Sequence, residues 1–141
     1  MTIKPYNRRA NYYETDQMGI IHHSNYIRWF EESRVDLMEQ LGYSYTKVNE
    51  LGIDFGLIDV YCEYKLMVHF NDIVNIHVSL SELKNMRMTL SYKIIDAKTN
   101  QICTLGKTQH FFYDNKEKRP VSLKKAIPEL YELFLSIASI P

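Results

Sequence analysis

Three observations predict an α+β domain, with one antiparallel sheet and a single dominant helix. The first is a helical period between Asn25 and Leu41. The second is strict two-residue alternation over residues 74–81 and 86–94. The third is the order of the pieces: one strand, one long helix, then a meander of strands.

Tyr6 to Thr15 is rich in aromatics and predicts a strand, which Gly19 interrupts. In the helical segment Tyr26, Phe30, Ser33, Leu37 and Leu41 share a face, with Ile27 and Met38 flanking it. Arg28, Glu31, Glu32 and Glu39 fall opposite, as a helix lying on a core requires. Ser24 or Asn25 offers a short polar side chain for the N-cap, and Gly42 supplies the C-terminal stop.

Residues 53–64, "IDFGLIDVYCEY", are β-prone. Val74, Ile76, Val78 and Leu80 then alternate with Asn75, His77, Ser79 and Ser81. Met86, Met88, Leu90, Tyr92 and Ile94 alternate with Arg87, Thr89, Ser91 and Lys93, so both are half-buried antiparallel strands. Residues 83–85 and 96–101 are hairpin connections. Residues 102–113 form a further strand, where Gly106 predicts a bulge or bend. The terminal "AIPELYELFLSIAS" predicts a short helix. One helix covers only part of such a sheet, so an exposed edge or face invites a second subunit.

The chain of 141 residues fits one domain with a real core. Its 17 Lys+Arg balance 17 Asp+Glu, which gives no basic excess for nucleic acid. Cys62 and Cys103 are isolated, without zinc spacing, and predict reduced thiols. No apolar stretch suits export or a membrane span, so a cytoplasmic location is expected. His22 and His23 do not predict a metal site, because adjacent histidines diverge and no third ligand stands at a useful spacing.

The segment "YETDQMGIIHHSNY", Tyr13 to Tyr26, places an acid, a glycine turn, a histidine pair and a helix start together. Free backbone N–H groups and the macrodipole make a helix start attractive to an oxygen that is becoming negative. Asp16 precedes His23 by seven residues, and Gly19 lets the loop between them fold tightly. A carbonyl between the two would have its oxygen held by an amide. Its carbon would be open to the carboxylate, or to a water that the carboxylate activates. Acids before helices are common, however, and most of them merely cap the helix or complement its dipole.

"YYETDQMGIIHHSNYIRWFEESR" strongly resembles the signature of hotdog-fold acyl-CoA thioesterases, in the branch of the 4-hydroxybenzoyl-CoA and Tol–Pal-associated enzymes. Tyr13, Thr15, Asp16, Gly19, Ile20, His23, Asn25, Tyr26, Phe30, Glu31 and Arg34 carry the match. "FNDIVNI" and "FFYDNKEKRPVSL" extend it more loosely over most of the chain. The resemblance implies that residues 1–141 form a single hotdog domain, a curved antiparallel sheet wrapped around one long central helix. It implies a homodimer joined sheet edge to sheet edge, or a homotetramer, with active sites at the dimer interface. Asp16 would be the catalytic nucleophile or general base, and the backbone N–H of His23 would polarise the thioester carbonyl. Met18, Gly19, Asn25 and Tyr26 would face the substrate, although Tyr26 and Phe30 also read as core and Asn25 as a cap. Met18 stands where small residues are common, and Met67 near where relatives commonly carry proline. Arg87, Lys84 and the cationic run Lys116–Lys125 are candidates for the CoA phosphates. No metal or redox cofactor is implied, since CoA arrives as part of the substrate. Glu31 is the fallback acid. The competing functions are hydration or dehydration of an acyl thioester on the same fold, and acyl-CoA binding without turnover.

Overall fold

The structure is a computed structural model and describes residues 1–139. Five antiparallel strands run in the order β1-β3-β4-β5-β2. They are β1 (Tyr6–Arg9), β2 (Ile53–Tyr64), β3 (Ile73–Leu83), β4 (Arg87–Asp96) and β5 (Ile102–Asp114), and a short β6 (Arg119–Pro120) folds back on β5. The sheet curls around α1 (Ser24–Leu41). The smaller helices are α2 (Tyr45–Glu50), α3 (Leu123–Ala126) and α4 (Pro128–Ile137).

The predicted helix face is buried: Tyr26, Phe30, Ser33, Leu37 and Leu41 are each at most 5% exposed, and Trp29 joins them at 0%. On the sheet, Val74, Ile76, Leu80, Met88, Leu90, Tyr92 and Ile94 point into the same core. Gly42 adopts a left-handed φ of 78°, and its N–H and that of Tyr43 donate to the carbonyls of Glu39 and Met38.

Gly106 is not a bulge. It keeps register with Tyr92 on one side and Cys62 on the other. A Cβ there would sit 2.2 Å from the Phe30 ring, so the glycine lets α1 press directly onto the sheet. The register shifts lie instead between Leu57 and Asp59, between Leu80 and Glu82, and between Ile94 and Ile95.

The first strand is shorter than its aromatic composition predicts. It leaves β3 after Arg9, and Tyr12–Glu14 form a 3-10 turn. The reason is Glu14, which is 3% exposed. Its carboxylate accepts from the Asn11 N–H (2.9 Å), the Trp29 indole (2.8 Å) and both terminal nitrogens of Arg8, and this pulls the chain off the sheet. The C-terminal helix is also divided. Pro128 disfavours helical backbone at Ile127, which is extended (φ −136°, ψ 79°) between α3 and α4.

Polar groups cross the core between α1 and the sheet. The Arg34 guanidinium donates to the Tyr92 hydroxyl (3.3 Å), which shares a hydrogen bond with Thr108 (2.6 Å), and Thr108 also meets His110 Nε2 (2.7 Å). His110, on β5, is therefore partnered inside the core. Burial and the nearby Arg34 charge lower its pKa to about 4, from 6.5. The unfolded chain thus takes up a proton that the folded chain refuses. Stability is expected to be full above pH 6.5 and to fall by about 3 kcal/mol between pH 7 and pH 4. Urea unfolding at both pH values, beside His110→Gln, checks this. That part of the pH slope should vanish in the variant.

Candidate active site

The Thr15–Ile21 hairpin carries the acid. Asp16 N–H donates to the Ile20 carbonyl (2.8 Å), Gly19 N–H donates to the Asp16 carbonyl (2.9 Å), and Thr15 bridges to Ile21. Gly19 holds a φ of 77° with nothing within 4 Å of a Cβ position, so the turn needs the glycine for conformation rather than space. Asp16 Oδ1 accepts from Met18 N–H (2.8 Å), which aims the carboxylate within its own turn.

The helix start is built by hydrogen bonds around His23, which occupies the N-cap position without a side-chain cap. His22 N–H donates to the Glu14 carbonyl (2.8 Å), and the His22 carbonyl accepts from Asn25 N–H (2.9 Å). Ser24 N–H donates to His22 Nδ1 (3.2 Å). Among the described residues, His23 N–H is left without an acceptor. The two histidine rings do not diverge as expected but lie 4.1 Å apart, because the chain is already turning into the helix there.

Asp16 and His23 line one cleft of about 280 Å³. Ile20, Ile21 and Tyr26 form part of its wall, and Tyr64, the last residue of β2, with Lys65, Leu66 and Met67 just after it form the rest. Sequence reasoning missed that second group. The motif ends near residue 34, and nothing in "EYKLM" marks those residues as facing Asp16. Tyr26 is both core and cleft wall, at 3% exposure.

The other candidates lie elsewhere within the subunit. Met18 is 69% exposed, and Gly19 borders a shallow depression with Asp16 and Phe70. Asn25 neither caps α1 nor bonds to Asp16. It is buried, and its amide donates to the Glu14 carbonyl (2.8 Å), locking the 3-10 turn to the helix start. Arg87 pairs with Phe111 whereas Tyr64 pairs with Thr104. The seven intervening steps along β5 put Arg87 about 23 Å from the cleft end of the sheet. Glu31 has a side chain 70% exposed and 4.0 Å from Arg34, outside the cleft lining.

A curled antiparallel sheet wrapped around one long helix is the hotdog architecture, and here it sets Asp16 and His23 on one cleft. Residues 11–131 match the family model described as Thioesterase-like superfamily, and the chain belongs to that family. A relative described as "Putative esterase" from Aquifex aeolicus (strain VF5) is 36% identical over 125 residues, covering 89% of this chain and 94% of the relative. Acyl-CoA thioester hydrolase YbgC from Escherichia coli O6:H1 is 19% identical over 119 residues, covering 84% and 88%. The crystal structure of DHNA-CoA thioesterase from Staphylococcus aureus superposes with a TM-score of 0.88 at 28% identity, covering 95% of this chain and 89% of that one. No helix of the described residues is long and apolar enough to cross a membrane.

Proposed function

We propose that this protein hydrolyses an acyl-CoA thioester to the free acid and CoA, with Asp16 acting on the carbonyl carbon and the His23 N–H holding the carbonyl oxygen. The observation that supports this most is that Asp16 and His23, the residue with the unpartnered N–H, line the same cleft. As general base, Asp16 removes a proton from water. The resulting hydroxide adds to the carbonyl carbon, the oxyanion rests on the His23 N–H, and collapse expels the CoA thiolate. As nucleophile, Asp16 first takes the acyl group as an anhydride with loss of the thiolate, and water then releases the acid. Neither route calls for a metal or redox cofactor, since the thiolate is a competent leaving group. The test is thiol release from short-chain, long-chain and aromatic acyl-CoAs. Failure to hydrolyse any of them would remove the reading in favour of hydration or simple binding. The unpaired Cys62 and Cys103 suit the reducing cytoplasm in which acyl-CoA substrates are found.

The site is proposed to work in a homodimer or a homotetramer built from such dimers. Strand β2 pairs only with β5, and its twelve residues leave the outer edge open among the described residues. Leu57, Ile58 and Tyr61 on that strand are 46–56% exposed. An apolar open edge of this length is a template for a second copy. Ile58 lies at the register shift, unpaired with β5. Wild-type protein is expected to sediment as a dimer or larger, and Ile58→Lys as a monomer. A wild-type monomer at micromolar concentration would rule the assembly out.

A further inference from the structure

Resting on the thioesterase reading above, we infer that Tyr64 is a positioning residue: its hydroxyl, donated to the His23 carbonyl, holds the helix-start amide in register with Asp16. The hydrogen bond is 3.1 Å long and spans 41 residues of sequence. It is the one side-chain hydrogen bond, among the described residues, from a strand of the sheet to the segment from Gly19 to Ser24. The Tyr64 ring stands edge-on to Tyr26 (5.1 Å between centroids, 80° between planes), so the phenol is steered from both ends. It also lines the cleft beside Asp16 and His23.

The geometry around His23 gives this bond its consequence. The peptide linking His22 and His23 carries the free N–H. On one side the Glu14 carbonyl holds His22 N–H, and within the linkage the His22 carbonyl is held by Asn25 N–H. On the other side only the Tyr64 hydroxyl fixes the His23 carbonyl from outside the turn; Tyr26 N–H reaches the same oxygen at 3.4 Å, a long and weak contact. Removing the hydroxyl leaves the His23–Ser24 peptide held only by the Ser24 N–H bond to His22 Nδ1 (3.2 Å) and the long Tyr26 contact, so the His23 backbone gains freedom. An oxyanion donor must lie within a few tenths of an ångström of where the charge develops. Partial burial and the neighbouring Cys62 raise the phenol to about 12, so it remains a donor throughout any ordinary assay range.

Tyr64→Phe deletes the hydroxyl and keeps the cleft wall. The expected result is a kcat about tenfold lower with KM within twofold, by the same factor for every acyl-CoA the wild type hydrolyses, and an unchanged melting temperature. A purely structural or acyl-recognising Tyr64 would instead move stability, KM or the chain preference. A second readout needs no turnover: the backbone amide 15N resonances of His23 and Ser24 should shift in Tyr64→Phe. Unmoved resonances, or a kcat within twofold of wild type, overturn the inference. A wild type that hydrolyses nothing condemns the thioesterase reading, while the resonances still decide whether Tyr64 positions the helix start.

Discussion

Asp16→Asn is expected to lower kcat/KM for acyl-CoA hydrolysis at least a hundredfold, about 2.7 kcal/mol of transition-state stabilisation. The substitution preserves shape. An Asn side-chain oxygen can still accept the Met18 N–H that Asp16 Oδ1 accepts now, so the hairpin and its Gly19 turn should stand. What is lost is the negative charge that removes a proton from water or attacks the carbonyl. Thiol release measured on both proteins, with melting temperatures as a fold control, checks the prediction. If the Asn variant stays within a few-fold of wild type, Asp16 is not the acid. Glu31 is then a poor successor within one subunit, because its side chain is largely in solvent and outside the cleft lining.

Glu14→Ala is expected to destabilise the fold by about 3 kcal/mol, since removing one partner of a buried ion pair strands the rest. Glu14 accepts from Arg8, the Trp29 indole and the Asn11 N–H with a side chain only 4% exposed. Arg8 retains Glu32 through its Nε (2.9 Å) and Nη2 (3.1 Å), which limits the loss. The indole and the Asn11 amide retain nothing comparable. Glu14→Gln should lose less, because an amide oxygen can still accept from one of these donors. Urea midpoints of the three proteins measure the series. Equal midpoints for wild type and the Ala variant would show that the network adds nothing net. Activity should fall with stability here. The Glu14 carbonyl is the anchor for His22 N–H and the Asn25 amide, so a loosened turn also loosens the helix start.

The two effects differ in how local their causes are in the sequence. Asp16 and His23 are close in the chain, and a turn glycine with a helix start behind it is a local pattern. Glu14 stands in the same motif, yet its burial depends on Arg8 from β1 and Trp29 from α1 meeting over it. That meeting is a property of packing. Tyr64 is further still from any local signal, since its hydrogen bond joins positions 41 residues apart.

Periodicity by itself determines the long helix and the alternating strands, because a 3.6-residue or two-residue repeat is a local consequence of which face is buried. It also settled the order of elements, and hence the class of fold. Periodicity could not say where β1 ends, because Tyr12 and Tyr13 suit a strand and it is the buried Glu14 that turns the chain away. Nor could it say whether Gly106 marks a bulge or a close approach, which depends on the Phe30 ring arriving from the helix. The cleft itself belongs to the same category. One wall is local to the motif and the other comes from Tyr64 and the three residues after β2. Pairing of β2 with β5, together with the Ile21 N–H bond to the Val68 carbonyl (2.8 Å) and the Ile20–His69 bridge, brings Tyr64 to Met67 into the cleft that Asp16 lines, because a sheet neighbour is chosen by burial of whole faces and not by nearness in the chain.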